Sequence, residues 1–132
     1  MNWEHIVGQD KLKNLLKESI HDKRVSHAQL FIGKDGYGTL PLAMAFAKEI
    51  FTKENAHSAS KVEHLNHLDL HFSFPVFKDK KGGLSQLFLE DFRNMILENP
   101  YSNSEDWNKV LNSENKQLTI YADEIDELNK KF

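Results

Sequence analysis

One stretch of the chain decides its fold: Gly33-Lys34-Asp35-Gly36-Tyr37-Gly38-Thr39-Leu40. Its glycines Gly33 and Gly38 match the phosphate-binding template G-x-x-x-x-G-K-[ST]. Thr39 stands where the template has lysine and Leu40 where it has serine or threonine, so the cation for the phosphates and the ligand for Mg²⁺ are both missing. Lys34 does not replace the cation, because it occupies the second position of the loop. The stretch predicts a nucleotide-binding scaffold that keeps the loop shape without the chemistry of hydrolysis.

The segments on either side of this loop have the composition that a phosphate-binding loop requires. Residues 28–32 form a short apolar run typical of a buried parallel strand. Residues 40–51 have the composition of a helix, and Pro41 is tolerated in its first turn. The residues predicted to share one face of this helix are Leu40, Ala43, Ala47, Ile50 and Phe51. The alternative is an ordinary strand-to-helix turn that contains three glycines.

Periodicity predicts further elements before and after that unit. Residues 10–20 are predicted to form a helix with one apolar face, made of Leu12, Leu15, Leu16 and Ile20. Residues 52–66 are predicted to be a polar connection. Residues 68–74 alternate strictly between apolar and polar side chains, which indicates a half-buried strand that ends before Pro75. The inward side of that strand is predicted to carry Leu68, Leu70, Phe72 and Phe74.

Three more helices and one extended segment, residues 118–121, are predicted in the second half of the chain. The predicted caps are Ser85 for residues 85–98, a capping box of Ser102 and Glu105 for a short helix, and Asp123 for a last helix. The residues predicted to face inward are Leu84, Leu87, Phe88, Phe92 and Ile96, then Trp107, Val110 and Leu111, then Ile125, Leu128 and Phe132. The adjacent carboxylates Asp123 and Glu124 are interpreted as solvated or capping groups, since helix neighbours point in different directions.

Composition excludes several classes of protein. The 132 residues suffice for one small domain, and the net charge of −3 provides no overall attraction to nucleic acid. The absence of cysteine excludes disulfides, thiol catalysis and cysteine-based metal sites. No apolar stretch approaches the roughly 18 residues that a membrane span needs. Four histidines lie near one another in the sequence, but their spacing fits a zinc site poorly and they are interpreted as surface residues: His57, His64, His67 and His71.

Other stretches connect the loop to a known family. The chain opens with Trp3-Glu4-His5-Ile6-Val7-Gly8-Gln9, and Arg24-Val25-Ser26-His27-Ala28 leads into Leu30-Phe31-Ile32-Gly33. In this order, and followed by a helix, they resemble the clamp-loader subunits of bacterial DNA polymerase III, delta prime and gamma/tau, which belong to the AAA+ class. The resemblance covers residues 3–51 well and 67–77 loosely.

The resemblance implies a fold and a place within the family. The implied fold is α/β, of the P-loop NTPase/AAA+ type, with a parallel sheet flanked by helices. Residues 1–132 would form the N-terminal part of that domain, with the lid and collar domains absent. Gamma/tau subunits hydrolyse ATP and keep the loop lysine, whereas delta prime often lacks a working loop, so Thr39 and Leu40 favour a delta-prime-like role. The chain departs from the family in lacking the four-cysteine zinc module, and Asp123-Glu124-Ile125 makes a poor Walker B box because no apolar strand precedes it.

The expected site is a vestigial phosphate loop of Gly33, Gly36, Gly38 and Thr39, whose backbone N–H groups remain able to hold a sulfate or phosphate. No catalytic residue, metal or cofactor is expected. The resemblance implies a cytoplasmic role in DNA replication, in which a non-hydrolysing subunit helps to load the sliding clamp onto primed DNA. Its implied partners are the gamma/tau and delta subunits, with the clamp and the DNA contacted indirectly.

Two alternatives remain open. One is an ATP-binding, gamma/tau-like ATPase with unusual loop chemistry, and the other is a stand-alone protein-interaction domain unrelated to replication. The sequence also predicts that the chain is a fragment, since few strands can be counted and the apolar face of the last helix is still in use at Phe132. An unpaired sheet edge and exposed apolar surface favour self-association, which we expect of this chain.

Overall fold

Helices account for the regular secondary structure of the computed structural model, which describes residues 2–132. The helices are α1 (Asp10–His21), α2 (Thr39–Glu54), α3 (Ser58–Glu63), α4 (Leu89–Glu98), α5 (Ser104–Val110) and α6 (Ala122–Lys131), with 3₁₀ turns at Trp3–His5 and Ser85–Phe88. The chain divides into two compact units. Unit 1 comprises residues up to 70 together with 99–101, and unit 2 comprises residues 71–98 and 102–132. Across residues 2–132, no helix has both the length and the apolar character needed to cross a membrane.

The parallel sheet that the sequence predicts is absent from the described residues. Residues 28–32 carry no helical or strand assignment, and no backbone hydrogen bond joins them to another residue within 2–132. Leu30 and Ile32 are 84% and 85% exposed, while the half-buried Phe31 packs on Phe46 with 6.0 Å between ring centroids. A parallel strand takes its ladder hydrogen bonds from neighbouring strands. The strand prediction was wrong because an apolar composition alone does not provide a neighbouring strand with which the segment can form hydrogen bonds.

The first predicted helix is confirmed and lies beside the core of unit 1. On α1, Ile20 is buried and Leu16 packs against the core, whereas Leu15 is 56% exposed, so only part of the predicted apolar face points inward. Lys13 is buried on the same helix because its ammonium donates to the carbonyl of Ile6. The core cluster consists of Ile6, Leu42 and Ala45, with Trp3, Leu16 and Phe31 packed against it.

Helix α2 follows the glycine loop as predicted but buries a different face. Its buried residues are Pro41, Leu42, Ala45 and Phe46, whereas all five residues of the predicted face are only half-buried. Apolar side chains surround the first half of this helix, so the 3.6-residue period selects no face there. The buried face of α2 is determined instead by its packing against α1 and against the 3₁₀ turn at Trp3–His5.

Part of the predicted polar connection at residues 52–66 is helical. Helix α2 continues to Glu54, and α3 packs against it with Val62 3% exposed. Leu65, just after α3, is 1% exposed. The ring of His67 stacks on Phe51 at 4.4 Å between centroids. The prediction of a loop was wrong because Val62 and Leu65 stand among polar residues and show no helical periodicity in the sequence. Both side chains are nevertheless buried.

In unit 2, residues 71–77 follow the predicted alternation without forming a strand. Phe74 and Val76 are buried, and Phe72 is half-buried. The backbone of Val76 exchanges two hydrogen bonds with Thr119, of 3.0 and 2.9 Å, in an isolated antiparallel bridge. The predicted start of the strand was wrong, since Leu68 is 80% exposed. The extended character predicted for residues 118–121 agrees with the bridge at Thr119.

An aromatic cluster forms the core of unit 2. The rings of Phe74 and Phe92 are stacked with their centroids 4.2 Å apart, and Trp107 meets both edge-on at 5.2 and 5.6 Å. The indole N–H of Trp107 donates to the carbonyl oxygen of Pro75 over 2.7 Å. The inward positions predicted for Phe92, Ile96 and Trp107 are therefore confirmed.

Helix caps in unit 2 differ from the predicted ones. The predicted helix 85–98 exists as a 3₁₀ turn followed by α4, but the buried Ser85 hydroxyl makes its hydrogen bonds with another segment and does not cap. Helix α5 begins with a capping box of Asn103 and Asp106, in which each side chain accepts the other's backbone N–H at 2.9 Å. The predicted box of Ser102 and Glu105 was one residue too early, since asparagine and aspartate form the same reciprocal pair.

Helix α6 also begins earlier and turns a different face inward than predicted. Its N-cap position is held by Tyr121, not Asp123. Ile125 and Phe132 are 52% and 72% exposed, so their predicted inward positions were wrong. The buried residue of α6 is Glu124, which is 2% exposed.

Candidate functional site

The predicted phosphate loop ends where α2 begins. Gly36 and Gly38 have positive φ angles of 79° and 105°, a region that glycine adopts without steric cost. Gly38 is the N-cap residue of α2, so the N-cap position supplies no side chain to cap the first-turn N–H groups. Pro41 has no N–H, so the orphan donors of this first turn are the backbone groups that precede it. The loop therefore leads directly into a helix N-terminus, where first-turn backbone N–H groups have no intrahelical acceptor.

Thr39 folds back onto the start of the loop. Its Oγ1 lies so close to Gly33 that a Cβ at position 33 would collide with it. A lysine at position 39 would carry a charge toward a phosphate group, whereas the short threonine side chain packs on the loop backbone. A larger residue than glycine at position 33 would therefore collide with Thr39. The template's lysine is replaced here by the uncharged Thr39, which contacts the loop.

Lys34 is directed at an aromatic ring. Its ammonium lies 5.1 Å from the centroid of the Tyr37 ring, which is itself 73% exposed. Such a cation–π contact contributes about 0.5–1 kcal/mol at an exposed site. The loop thus holds its single cation on its own tyrosine, and what it offers an anion is backbone N–H groups and the helix dipole.

A cleft of about 510 Å³ adjoins the loop in unit 1. It is lined by residues of the turn before α1 and of α1 itself, and by residues 29–34 and 37–39 together with Leu42. Its apolar lining consists of Ile6, Val7, Leu12, Leu16, Leu30, Phe31, Ile32 and Leu42. The volume lies within the roughly 300–1,000 Å³ of small-molecule sites. Of the four vestigial-loop residues predicted from the sequence, Gly33, Gly38 and Thr39 line this cleft, and Gly36 is not among its lining residues.

Tyr101 belongs to the same unit and was missed by the sequence analysis. The backbone N–H of Val7 donates to its hydroxyl oxygen over 3.1 Å. Its ring lies beside Gly38, where Cε1 would be 3.1 Å from an added Cβ. No local signal points to this role, because position 101 follows a proline in a loop far along the chain from both partners.

A second polar cluster lies in unit 2 around Glu124. Its Oε1 accepts hydrogen bonds from His71 Nε2 at 3.0 Å and from the Ser73 hydroxyl at 2.8 Å, and its Oε2 accepts the Ser85 N–H at 2.9 Å. Burial disfavours the charged carboxylate, but the hydrogen bonds from Ser85, His71 and Ser73 outweigh burial and lower the pKa of Glu124 below its ordinary value. The interpretation of Asp123 and Glu124 as solvated or capping groups was wrong for Glu124, since a long-range contact buries it.

Three of the four histidines that lie near one another in the sequence make structural contacts. His71 contacts Glu124, and His64 Nδ1 lies 2.7 Å from the carbonyl oxygen of Ser60. His67 Nε2 lies 3.2 Å from the Ser58 hydroxyl. Among residues 2–132, no three histidine, aspartate or glutamate side chains come together as a metal site would require.

Comparisons with known proteins identify the family. A family model described as "DNA polymerase III, delta subunit" matches residues 8–132. The chain is 35% identical over 106 residues to the "DNA polymerase III subunit delta'" of Bacillus subtilis (strain 168), a match that covers 74% of this chain. No solved structure matches the chain. The match covers 32% of the length of that relative. The chain therefore belongs to the delta' subunit family of DNA polymerase III.

Proposed function

We propose that this chain acts as a non-hydrolysing, delta-prime-like subunit of the DNA polymerase III clamp loader. In that role it helps to load the sliding clamp onto primed DNA in the cytoplasm. Its direct partners would be the gamma/tau and delta subunits, and it would reach the clamp and the DNA through them. Residues 1–132 would form the first part of an AAA+ domain of the P-loop type, without lid and collar domains.

One observation carries the non-hydrolysing role. Thr39 stands at the lysine position of the loop, and its hydroxyl packs on Gly33. Leu40 follows at the position that would ligate Mg²⁺. A phosphoryl-transfer site depends on cations that neutralise charge on the transferring group. A loop without the lysine and the hydroxyl keeps only backbone N–H groups, which can hold an anion but do not promote hydrolysis.

We therefore propose that the protein acts through its contacts with neighbouring subunits and not through chemistry of its own. Gly33, Gly36, Gly38 and Thr39 form a vestigial phosphate loop that fixes the start of α2. The subunit would act as a rigid neighbour to an ATP-binding subunit, and ATP bound there would drive opening of the clamp. The exposed Leu30 and Ile32 give unit 1 an apolar surface for assembly or self-association.

The test is a calorimetric titration of the full-length protein with ATP and Mg²⁺. We expect no binding by the parent and gained binding by a Thr39→Lys, Leu40→Thr double variant. A Thr39→Ser, Leu40→Thr variant is the matched control, since it restores a hydroxyl for the metal without the cation. Tight binding or hydrolysis by the parent would favour the gamma/tau-like alternative.

Clamp loading tests the role in replication directly. A loader reconstituted from gamma/tau and delta should load the clamp onto primed DNA only when the full-length protein is added. The Thr39→Ser, Leu40→Thr variant should support loading as the parent does, because the loop takes no part in hydrolysis. Loading that is equally fast without the protein would contradict the proposed function.

A further inference from the structure

The space beside Gly38, which has no side chain, is filled by the ring of Tyr101. A Cβ at position 38 would lie 3.1 Å from Cε1 of Tyr101 and 3.7 Å from its hydroxyl oxygen. Glycines in a phosphate loop allow a ligand to approach the backbone closely. At Gly38 the group that approaches is the edge of a tyrosine ring.

The same side chain also contacts Val7, a second lining residue of the cleft. Its hydroxyl oxygen accepts the backbone N–H of Val7 over 3.1 Å, and Val7 lies in the turn that precedes α1. Tyr101 thereby connects the turn at residues 6–9 with the N-terminus of α2. Val7 and Gly38 both line the cleft described above, and Tyr101, which contacts both, is not itself among the lining residues.

We propose that Tyr101 is a specificity-determining residue beside this cleft, where it joins Val7 to Gly38 and partly excludes phosphate ligands from the loop. The proposal rests on the proposed function, in which the loop is empty of nucleotide. Thr39 and Lys34 act in the same direction, since one packs on the loop backbone and the other on Tyr37.

The bridge is tested by hydrogen exchange on the full-length protein without ligand. In Tyr101→Phe the ring remains but Val7 loses its acceptor, so exchange of the Val7 amide should become roughly two- to tenfold faster. Tyr121→Phe is the matched control, because it removes a tyrosine hydroxyl in unit 2 and should leave Val7 unchanged. Equal exchange of the Val7 amide in Tyr101→Phe and the parent would overturn the bridge.

The exclusion is tested by ADP titration in the Thr39→Lys, Leu40→Thr background. Adding Tyr101→Ala should raise the affinity for ADP at least threefold, since the ring no longer covers Gly38. A purely structural tyrosine would give the reverse, because a loosened loop binds less well. An affinity that is unchanged, lower or undetectable with and without Tyr101 would overturn the exclusion. Tyr101→Leu replaces Tyr101→Ala if thermal melting shows the alanine variant to be unfolded.

The two proposals fail in different ways. Tight ATP binding by the parent would contradict the proposed function, whatever the rate of hydrogen exchange at the Val7 amide. Unchanged exchange at Val7 would remove the Tyr101 bridge and leave the non-hydrolysing role intact.

Discussion

The carboxylate of Glu124 accepts a hydrogen bond from the backbone N–H of Ser85, 2.9 Å away, although 39 positions separate the two residues. The hydroxyl of Ser85 in turn donates to the carbonyl of Phe74 and accepts its N–H, at 2.9 and 3.0 Å. Helix α6 is thereby linked to the extended segment 71–77 and to the turn before α4. A single acidic side chain on α6 satisfies polar groups of two other segments of unit 2, so its removal leaves buried donors without acceptors.

Glu124→Gln should lower the free energy of unfolding by about 1–3 kcal/mol, because the amide NH₂ faces hydrogen-bond donors where the carboxylate accepted from them. Urea unfolding followed by circular dichroism measures the change. Asp126→Asn is the matched control on the same helix, since Asp126 is exposed, and it should stay within about 0.5 kcal/mol of the parent. A loss no larger than that of the control would show that the buried network contributes little.

Glu124 also predicts how stability depends on pH. Its pKa is lower in the folded protein than the ordinary value of about 4.3, so the unfolded chain binds more protons in the interval between the two. The contribution of Glu124 to stability is therefore complete above about pH 4.3 and is lost as the pH falls through the folded pKa. Urea midpoints measured from about pH 6 to pH 3 should fall more steeply in the parent than in Glu124→Gln. Parallel curves would contradict a lowered pKa.

The helix in the predicted polar connection gives a third prediction. Leu65→Ala should lower the free energy of unfolding by about 2–5 kcal/mol, since Leu65 is 1% exposed behind α3. Leu68→Ala, three positions later, is the matched control because Leu68 is 80% exposed, and it should change stability by less than about 0.5 kcal/mol. Chemical denaturation measures both. Equal effects would mean that residues 52–66 form the loose loop that the sequence suggested.

Local signals explain which features of the fold could be predicted from the sequence. A leucine periodicity marked α1, and a glycine loop with an apolar run marked the start of α2, because both patterns act within one or two turns of chain. The left-handed backbone at Gly36 and Gly38 is one that glycine permits, although Gly33 in the same loop does not adopt it. Because these signals are local, the sequence alone was enough to propose the residues of the vestigial loop.

Features that depend on distant contacts could not be predicted in the same way. Glu124 lies on a charged helix face and is buried by Ser73 and Ser85, far away in sequence. Tyr101 follows a proline in a loop, and only the folded unit brings it to Val7. Residues 28–32 show the converse case, since the composition of a strand is present but no hydrogen-bonding neighbour lies among the described residues.

Gly38 and Gly8 form a natural pair for measuring the contact with Tyr101. Both have positive φ, of 105° and 68°, but a Cβ at Gly8 would meet nothing within 4 Å. Gly8→Ala should cost about 1 kcal/mol for backbone strain alone, and Gly38→Ala should cost more because the new methyl group presses on the ring. Combining Gly38→Ala with Tyr101→Ala should recover part of that excess in a double-mutant cycle of unfolding free energies. Equal costs at the two glycines would show that the ring does not confine Gly38.

Self-association is predicted from the apolar surface at residues 28–32. Leu30 and Ile32 are 84% and 85% exposed on a segment without helical or strand assignment, which makes no backbone–backbone hydrogen bond within residues 2–132. An open edge of this kind pairs with another chain, and charged side chains on it prevent such pairing. Multi-angle light scattering of the 132-residue chain should show a concentration-dependent increase in mass, which the Leu30→Lys, Ile32→Lys variant abolishes. Leu68→Lys is the matched control, because it charges an equally exposed leucine elsewhere in unit 1 and should leave the association unchanged. A parent that stays monomeric at all concentrations would contradict the prediction, and equal loss of association in the control would place the contact elsewhere.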